Sequence, residues 1–306
     1  MRAGAWLCAL LLAGCAATGF DPATMDPAPQ DPPPSMEPVR LPSGGVPLNG
    51  IVYLPGGDGP RPVAILLHGL PGDERNLDLA QALRRAGWAV VFFHYRGAWG
   101  SPGSFSFGHV LEDVDAAVAW SRSEAVRERF GLDDGPRALV GHSMGGWAAL
   151  RAGAEAEGVG CIASLAGANL GGLGARLRDD ADLADEVARN FEAWTVGPLA
   201  GTSGAALVQE LASDPAAFDL RRAVPELLDE HLLLVAGLAD AVAPPEVHHT
   251  PLVEALAFRD ASVRAVTLQG DHAFSGVRIA LARTVTSWLR TTCLREPPPR
   301  ATAAAR

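Results

Sequence analysis

Short, wholly apolar runs alternate with helical patterns through the middle of the chain, and this order constrains the fold more than any other feature. Continuous apolar runs at 63–67 and 89–93 are typical of strands buried on both faces. Residues 77–86 and 110–120 place apolar side chains at helical spacing. The same alternation predicts further strands and helices at 138–140, 143–154, 159–165, 231–236, 263–268 and 275–293. It indicates an α/β protein with a doubly wound, mostly parallel sheet.

The alternation stops in the second half of the chain. Residues 167–229 contain helical patterns and no evident strand, and the segment 179–194 places Leu183, Val187 and Phe191 on one stripe. We therefore predict a helical cap insertion over one edge of the sheet, not a second independent domain.

Charge and composition exclude several kinds of chemistry. All 25 basic residues are arginine, so a Schiff-base lysine, a phosphate-loop lysine and a serine–lysine dyad are excluded. A net charge of −10 disfavours nucleic acid as a partner. His248 and His249 are adjacent, but no metal-ligand spacing accompanies them. We predict no metal and no cofactor.

Residues 141–145 read Gly-His-Ser-Met-Gly, which matches the pattern G-x-S-x-G. The motif stands between a predicted strand and a predicted helix, and this is the context that the pattern requires. Its glycines permit a sharp turn that presents the Ser143 hydroxyl above the sheet. The helix N-terminus also places N–H groups near developing negative charge. The pattern predicts Ser143 as a nucleophile.

A serine nucleophile needs a base, and the base needs an acid that orients it. Among the eight histidines, His272 has a suitable position, after the last predicted strand and before the last helix. Asp240 directly follows the strand predicted at 231–236. Both side chains would thus lie at the carboxyl ends of parallel strands, where the sites of α/β proteins form.

Alternatives to these assignments stay open. Asp240 could merely cap a following helix. Asp271 is a competing acid, although its adjacency to His272 disfavours good geometry between the two side chains. His142 neighbours Ser143, but we expect its side chain to point away across the tight turn.

The order Ser143, Asp240, His272 resembles that of the α/β-hydrolase fold superfamily. The resemblance covers roughly residues 39–294 and includes an H-G-x-P-G loop at 68–72 and a glycine-rich loop at 95–103. Within the superfamily, the second loop and the ending around His272 look like those of the dienelactone-hydrolase and prolyl-oligopeptidase-like serine hydrolases.

This resemblance implies a role for each site residue. Ser143 would be the nucleophile, His272 the base and Asp240 its orienter, and the backbone N–H groups of Leu70 and Met144 would form the oxyanion hole. The implied substrate is a small-molecule ester or a short peptide, with a carboxylic ester favoured over a peptide, amide or thioester bond. A non-catalytic envelope binding protein on the same fold is the alternative from another class. No protein partner is predicted.

The N-terminus is typical of a secretion signal. A short apolar run follows Arg2 and ends in Leu-Ala-Gly-Cys at 12–15, which resembles the lipobox of bacterial lipoproteins. The resemblance implies that residues 1–14 are removed and that Cys15 is lipidated, which would anchor the protein to a membrane. Since Ala16 follows the cysteine, the outer membrane is favoured as the location. An ordinary secretory signal is the alternative.

Proline positions indicate the remaining boundaries, and two cysteines raise the possibility of a disulfide. Proline density in 15–38 predicts a semi-rigid tether, which leaves a hydrolase-like domain at 39–296 and a disordered tail at 297–306. Cys161 and Cys293 could pair outside the cytoplasm or remain two buried thiols, and their spacing does not decide between these.

Overall fold

A computed structural model describes residues 19–294 as one eight-stranded sheet covered by helices. The strands stand in the order β1-β2-β4-β3-β5-β6-β7-β8. Their bounds are β1 Ser35–Ser43, β2 Val46–Leu54, β3 Val63–Leu67, β4 Ala89–Phe93, β5 Arg137–His142, β6 Val159–Leu165, β7 His231–Gly237 and β8 Val263–Leu268. The helices are α1 Leu77–Arg85, α2 Phe107–Arg122, α3 Glu124–Phe130, α4 Met144–Gly153, α5 Leu170–Asp179, α6 Ala181–Thr195, α7 Gly204–Ser213, α8 Pro245–His248, α9 Thr250–Ala257 and α10 Arg278–Trp288.

Only the β1 edge of the sheet is antiparallel. β1 pairs with β2, and β2 pairs with β4, in antiparallel registers. From β4 to β8 every neighbouring pair is parallel. The carboxyl ends of β3, β5, β7 and β8 therefore lie along one side of the sheet. The predicted fold class is confirmed.

Both faces of the central strands are buried, which explains their unbroken apolar sequences. In β3, Val63, Ile65 and Leu67 pack on the face that α2 and α4 cover. Ala64 and Leu66 pack on the opposite face, beneath α1 and α10. The two layers hold the strand ends in fixed positions, and the loops that carry the site start from these ends.

The helical insertion covers the α2–α4 side of the sheet. It consists of α5, α6 and α7 and a 3₁₀ turn at Leu220–Arg222, and no strand occurs within 167–229 in the described structure. Buried side chains of these helices belong to the same apolar cluster as α2 and α4, among them Leu177, Phe191 and Leu211. This cap is therefore part of the one hydrophobic core.

The ordered fold begins earlier than the boundary predicted at residue 39. β1 starts at Ser35, inside the range predicted as a tether, because the antiparallel edge tolerates prolines that a central strand would not. Asp21 and Pro22 also contact the domain, by bonds with Arg283 and Arg85 respectively. The predicted signal at 1–14, Cys15 and the tail at 297–306 lie outside the described residues.

A disulfide joins Cys161 on β6 to Cys293 beyond α10, which resolves the alternative that the sequence left open. Within 19–294, no helix combines the length and the hydrophobicity needed to cross a membrane. The same range contains no cluster of three or more His, Cys, Asp or Glu side chains that could hold a metal ion.

Candidate active site

Ser143 stands at a strained turn between β5 and α4. Its backbone has φ 57° and ψ −120°, a conformation that non-glycine residues rarely adopt. The flanking glycines are required sterically, because a Cβ on Gly141 would collide with the carbonyl of Gly145. A Cβ on Gly145 would in turn collide with the carbonyl of Leu67. The turn holds the serine side chain above the carboxyl ends of the strands.

The structure places Ser143, His272 and Asp240 in one chain of hydrogen bonds. His272 Nε2 lies 2.9 Å from Ser143 Oγ, and His272 Nδ1 lies 2.8 Å from Asp240 Oδ2. The three residues come from the loops after β5, β8 and β7, as the sequence predicted. This arrangement can transfer a proton from the serine hydroxyl to the imidazole.

Asp240 is buried and has the surroundings of an ionised carboxylate. Burial alone would raise its pKa, but the bond with His272 and the N–H groups of Ala243 and Val242 hold the pKa below its ordinary value. Asp271, the competing acid, instead accepts a bond from the Ser275 N–H on the protein surface. The geometry therefore favours Asp240 over Asp271 as the partner of the histidine.

The loop after β3 brings a second backbone segment to Ser143. A Cβ added at Gly69 would lie 3.0 Å from Ser143 Cβ, so the loop passes directly beside the serine. Leu70 and Met144 line the same cavity as Ser143 and His272. Met144 is the first residue of α4, where N–H groups have no partner within the helix. In the described chain, the Leu70 N–H donates to no backbone carbonyl.

His142 contacts the site, and the expectation that it points away was wrong. Its Nε2 donates to the backbone carbonyl of His272 at 2.8 Å, and the two rings are 4.9 Å apart. Burial and the neighbouring His272 lower the pKa of His142 to about 4, so the ring is neutral near pH 7. The sharp turn directs the His142 ring against His272. The only sequence signal for this contact is that His142 directly precedes Ser143.

Side chains whose role was not predicted from the sequence support the Leu70 loop. Tyr95 donates a hydrogen bond to the His68 carbonyl at 3.1 Å, and Trp99 Nε1 donates to the Pro71 carbonyl at 2.8 Å. His68 Nε2 lies 3.3 Å from His94 Nδ1, and burial lowers the pKa of His68 to about 3. Because β3 and β4 are neighbours, the loops that follow them meet, and the loop after β4 fixes the loop after β3.

A cavity of about 730 Å³ extends from Ser143 under the cap. α5 and α6 each present one face to it, and residues of α8 and α9 also line it. Trp194 lies on the cavity, whereas Trp147 is buried in the core. Arg96 bonds Asp113 at 2.6 Å and holds its own loop. A smaller cavity of about 400 Å³ also borders Ser143 and His272.

Comparisons with known proteins agree with this architecture. A family model described as serine aminopeptidase, S33, matches residues 58–216, just over half of the chain. The match includes Ser143 and ends before Asp240 and His272. No curated protein sequence matches the chain significantly.

Several solved structures share the fold at low sequence identity. Est1E from Butyrivibrio proteoclasticus superposes with a TM-score of 0.65 at 18% identity, over 84% of this chain and 99% of that one. The esterase Pf2001 of Pyrococcus furiosus gives 0.63 at 18%, over 84% and 91%. The acylaminoacyl peptidase of Pyrococcus horikoshii gives 0.60 at 15%, over 84% of this chain and 41% of that one. The family match shows that the chain belongs to the serine aminopeptidase S33 family of α/β-hydrolases, and these structures share its fold.

Proposed function

We propose that this protein is a serine hydrolase that cleaves carboxylic esters through an acyl-enzyme on Ser143. The observation that carries the proposal is the continuous hydrogen-bond chain from Asp240 through His272 to the Ser143 hydroxyl. Ser143 and His272 line a cavity that a substrate could enter. A non-catalytic binding protein would not need a strained serine, a bonded imidazole and a buried carboxylate in this one arrangement.

The proposed reaction follows from the geometry. Ser143 Oγ attacks the ester carbonyl while its proton moves to His272 Nε2, and the negative charge of Asp240 stabilises the imidazolium that forms. The N–H groups of Leu70 and Met144 bind the developing oxyanion. His272 then returns the proton to the departing alcohol. Water, deprotonated by His272, releases the carboxylic acid and restores the Ser143 hydroxyl.

The lining of the cap cavity favours the acyl chain of the ester as the group that binds there. Its walls are formed mostly by apolar side chains, among them Leu173, Val187 and Phe191. Apolar burial of about 0.8 kcal/mol per methylene would favour binding of an alkyl chain there. The smaller cavity is then left for the alcohol.

A peptide or amide bond is the second candidate substrate. The description of the matching family and the Pyrococcus horikoshii peptidase favour it, because the same triad serves both bond types. Para-nitrophenyl esters and aminoacyl para-nitroanilides, compared by kcat/KM, separate the two. Faster turnover of the anilides would replace the ester proposal with a peptidase.

Labelling with a fluorophosphonate probe tests the serine hydrolase directly. We expect labelling of the native protein, loss of labelling in Ser143→Ala and slower labelling in His272→Ala. Ser213→Ala, at an exposed serine of α7, is the matched control and should label normally. Absence of labelling in folded native protein would contradict the proposal.

We further propose that a lipid on Cys15 anchors the protein in the bacterial cell envelope, with the outer membrane favoured. The support is the Leu-Ala-Gly-Cys sequence at the end of an apolar run. Metabolic labelling with an alkyne fatty acid should modify the native protein but not Cys15→Ser. Equal labelling of the two proteins, or retention of Cys15→Ser in the membrane fraction, would contradict the anchor.

A further inference from the structure

Several polar side chains interrupt the mostly apolar wall of the cap cavity, and the proposed triad uses neither Arg176 nor His248. Arg176 lies on α5, and His248 ends α8, where it contacts the residue before α5. Burial lowers the pKa of His248; the carboxylate of Asp240 opposes this effect and the positive charge of Arg176 adds to it, so Arg176 and His248 are electrostatic neighbours. Packing alone does not explain why an arginine and a histidine both line this mostly apolar cavity.

Arg176 has no acidic partner among the residues that the structure describes, in contrast to the other arginine of the cavity. Arg221 is occupied, because its guanidinium bonds the carboxylate of Asp219 at 2.6 Å. Arg176 lies on the same face of α5 as Gly172 and Leu173, which also line the cavity. Since helical side chains lean toward the helix N-terminus, the Arg176 guanidinium is directed back over these two residues.

His248 is held in one tautomer. The backbone N–H of Asn169 donates to His248 Nδ1 at 3.0 Å, so in the neutral ring the proton is on Nε2. Asn169 is itself fixed, because its side-chain amide donates to Asp219 at 2.8 Å and its oxygen accepts from the Leu220 N–H. The imidazole therefore offers the cavity an oriented N–H donor.

We infer that Arg176 and His248 form a subsite for a carboxylate at the far end of the acyl chain, so that the substrates are monoesters of dicarboxylic acids. The inference rests on the proposed function and names its substrate class. A carboxylate has two acceptor oxygens, which suit one guanidinium and one imidazole N–H. The apolar cavity wall between Ser143 and these donors would contact the methylene chain.

The position of α5 indicates how long the methylene chain of the substrate must be. The Ala168 N–H lies 3.4 Å from the Ser143 carbonyl, so α5 begins next to the nucleophile. From Leu170 to Arg176 the helix rises about 9 Å. Because the guanidinium leans back over Leu173, about 4.5 Å beyond Leu170 along the helix axis, a short diacid such as succinate would reach it less well than adipate or suberate.

The test compares two esters that differ only in the distal charge: mono-para-nitrophenyl suberate and its methyl-capped analogue, para-nitrophenyl methyl suberate. Release of nitrophenol is followed for both, and also for the succinate pair. We expect the native protein to prefer the free suberate by roughly two- to fivefold in kcat/KM, the range of an exposed ion pair. The preference should shrink for succinate and at high salt.

Substitutions assign the preference to the two donors. Arg176→Gln should abolish the preference by raising KM for the charged ester, and leave the capped ester within about twofold. Arg176→Lys should keep part of it, and His248→Phe should reduce it. Arg178→Gln is the matched control, because Arg178 lies on the same helix, pairs with Asp179 and does not line the cavity.

The outcomes separate this inference from the function on which it rests. If neither ester is hydrolysed and the fluorophosphonate does not label Ser143, the proposed function itself fails. If the capped ester is hydrolysed as fast as the charged one, or if Arg176→Gln leaves the preference intact, only the carboxylate subsite is overturned.

Discussion

The side chain of His142 donates a hydrogen bond to the backbone carbonyl of His272, at 2.8 Å from Nε2 to oxygen. The residue before the nucleophile thereby fixes the loop that carries the proposed base. Its Nδ1 has no partner within the described structure, so this single bond accounts for the polar contacts of a buried ring.

His142→Ala should slow the enzyme without weakening substrate binding. Loss of the bond frees the His272 backbone, and small misplacements of a catalytic group cost about 10- to 100-fold in rate. We expect kcat to fall while KM changes little for esters of small alcohols, because His142 lies outside the cap cavity and borders only the smaller one. His142→Gln keeps an N–H donor and should restore most of kcat. A rise in KM with unchanged kcat would contradict this positioning role.

Asp240→Asn should lower kcat by about 10²–10⁴, because an amide cannot stabilise the imidazolium and favours the wrong tautomer of His272. Steady-state kinetics with a para-nitrophenyl ester measures the effect. Asp271→Asn is the matched control, since this surface carboxylate bonds the Ser275 N–H, and its activity should stay near that of the native protein. A larger loss in Asp271→Asn than in Asp240→Asn would reverse the assignment.

The free energy of unfolding should decrease as the pH falls below about 6.5. His68 is buried, and its pKa in the folded protein is lowered to about 3, so between these values only the unfolded chain binds the proton. Stability then rises with pH in this window, by up to about 1.4 kcal/mol per pH unit for one such group. Urea unfolding at several pH values measures the slope.

A variant isolates the contribution of His68 to that slope. His68→Gln should flatten it relative to native protein, whereas His109→Gln, on α2 near solvent, should leave it unchanged. If His68→Gln is too unstable for urea titration, the same slope can be read from pH-dependent thermal midpoints. An equal slope in both variants would show that His68 does not cause the effect.

Glu210 of α7 ties the cap to the start of α2. Its two carboxylate oxygens accept the N–H groups of Phe107 and Gly108 at 3.0 and 2.8 Å. Glu210→Ala leaves these helix N-terminal groups without their anion and should cost about 1 kcal/mol of stability. Faster hydrogen exchange across α7 should accompany the loss. Glu226→Ala, at an exposed cap position, should change neither quantity.

The parts of the fold that were predictable are those governed by local pattern. The buried strands β3 and β4 follow from uninterrupted apolar runs, and Ser143 follows from a turn motif with strict steric demands. β1 could not be read in this way, because it contains Pro38 and Pro42 and exposes half of its residues.

Contacts between distant segments limited the remaining predictions. The pairing of Cys161 with Cys293 depends on how the C-terminal helix docks against β6, which no local pattern encodes. The cavity wall formed by Arg176 and His248 likewise joins an insertion to a loop far along the chain. His142 was misplaced because the direction of a side chain at the turn depends on backbone angles that periodicity does not specify.

Mass spectrometry of an acyl-enzyme tests the central claim most directly. The protein is mixed with a para-nitrophenyl ester, quenched in acid within the first turnover and digested, and the peptide that carries the acyl group is sequenced. Our account predicts one acyl group, on Ser143, and none in Ser143→Ala. An acyl group on another residue, or ester hydrolysis by Ser143→Ala at the native rate, would contradict it.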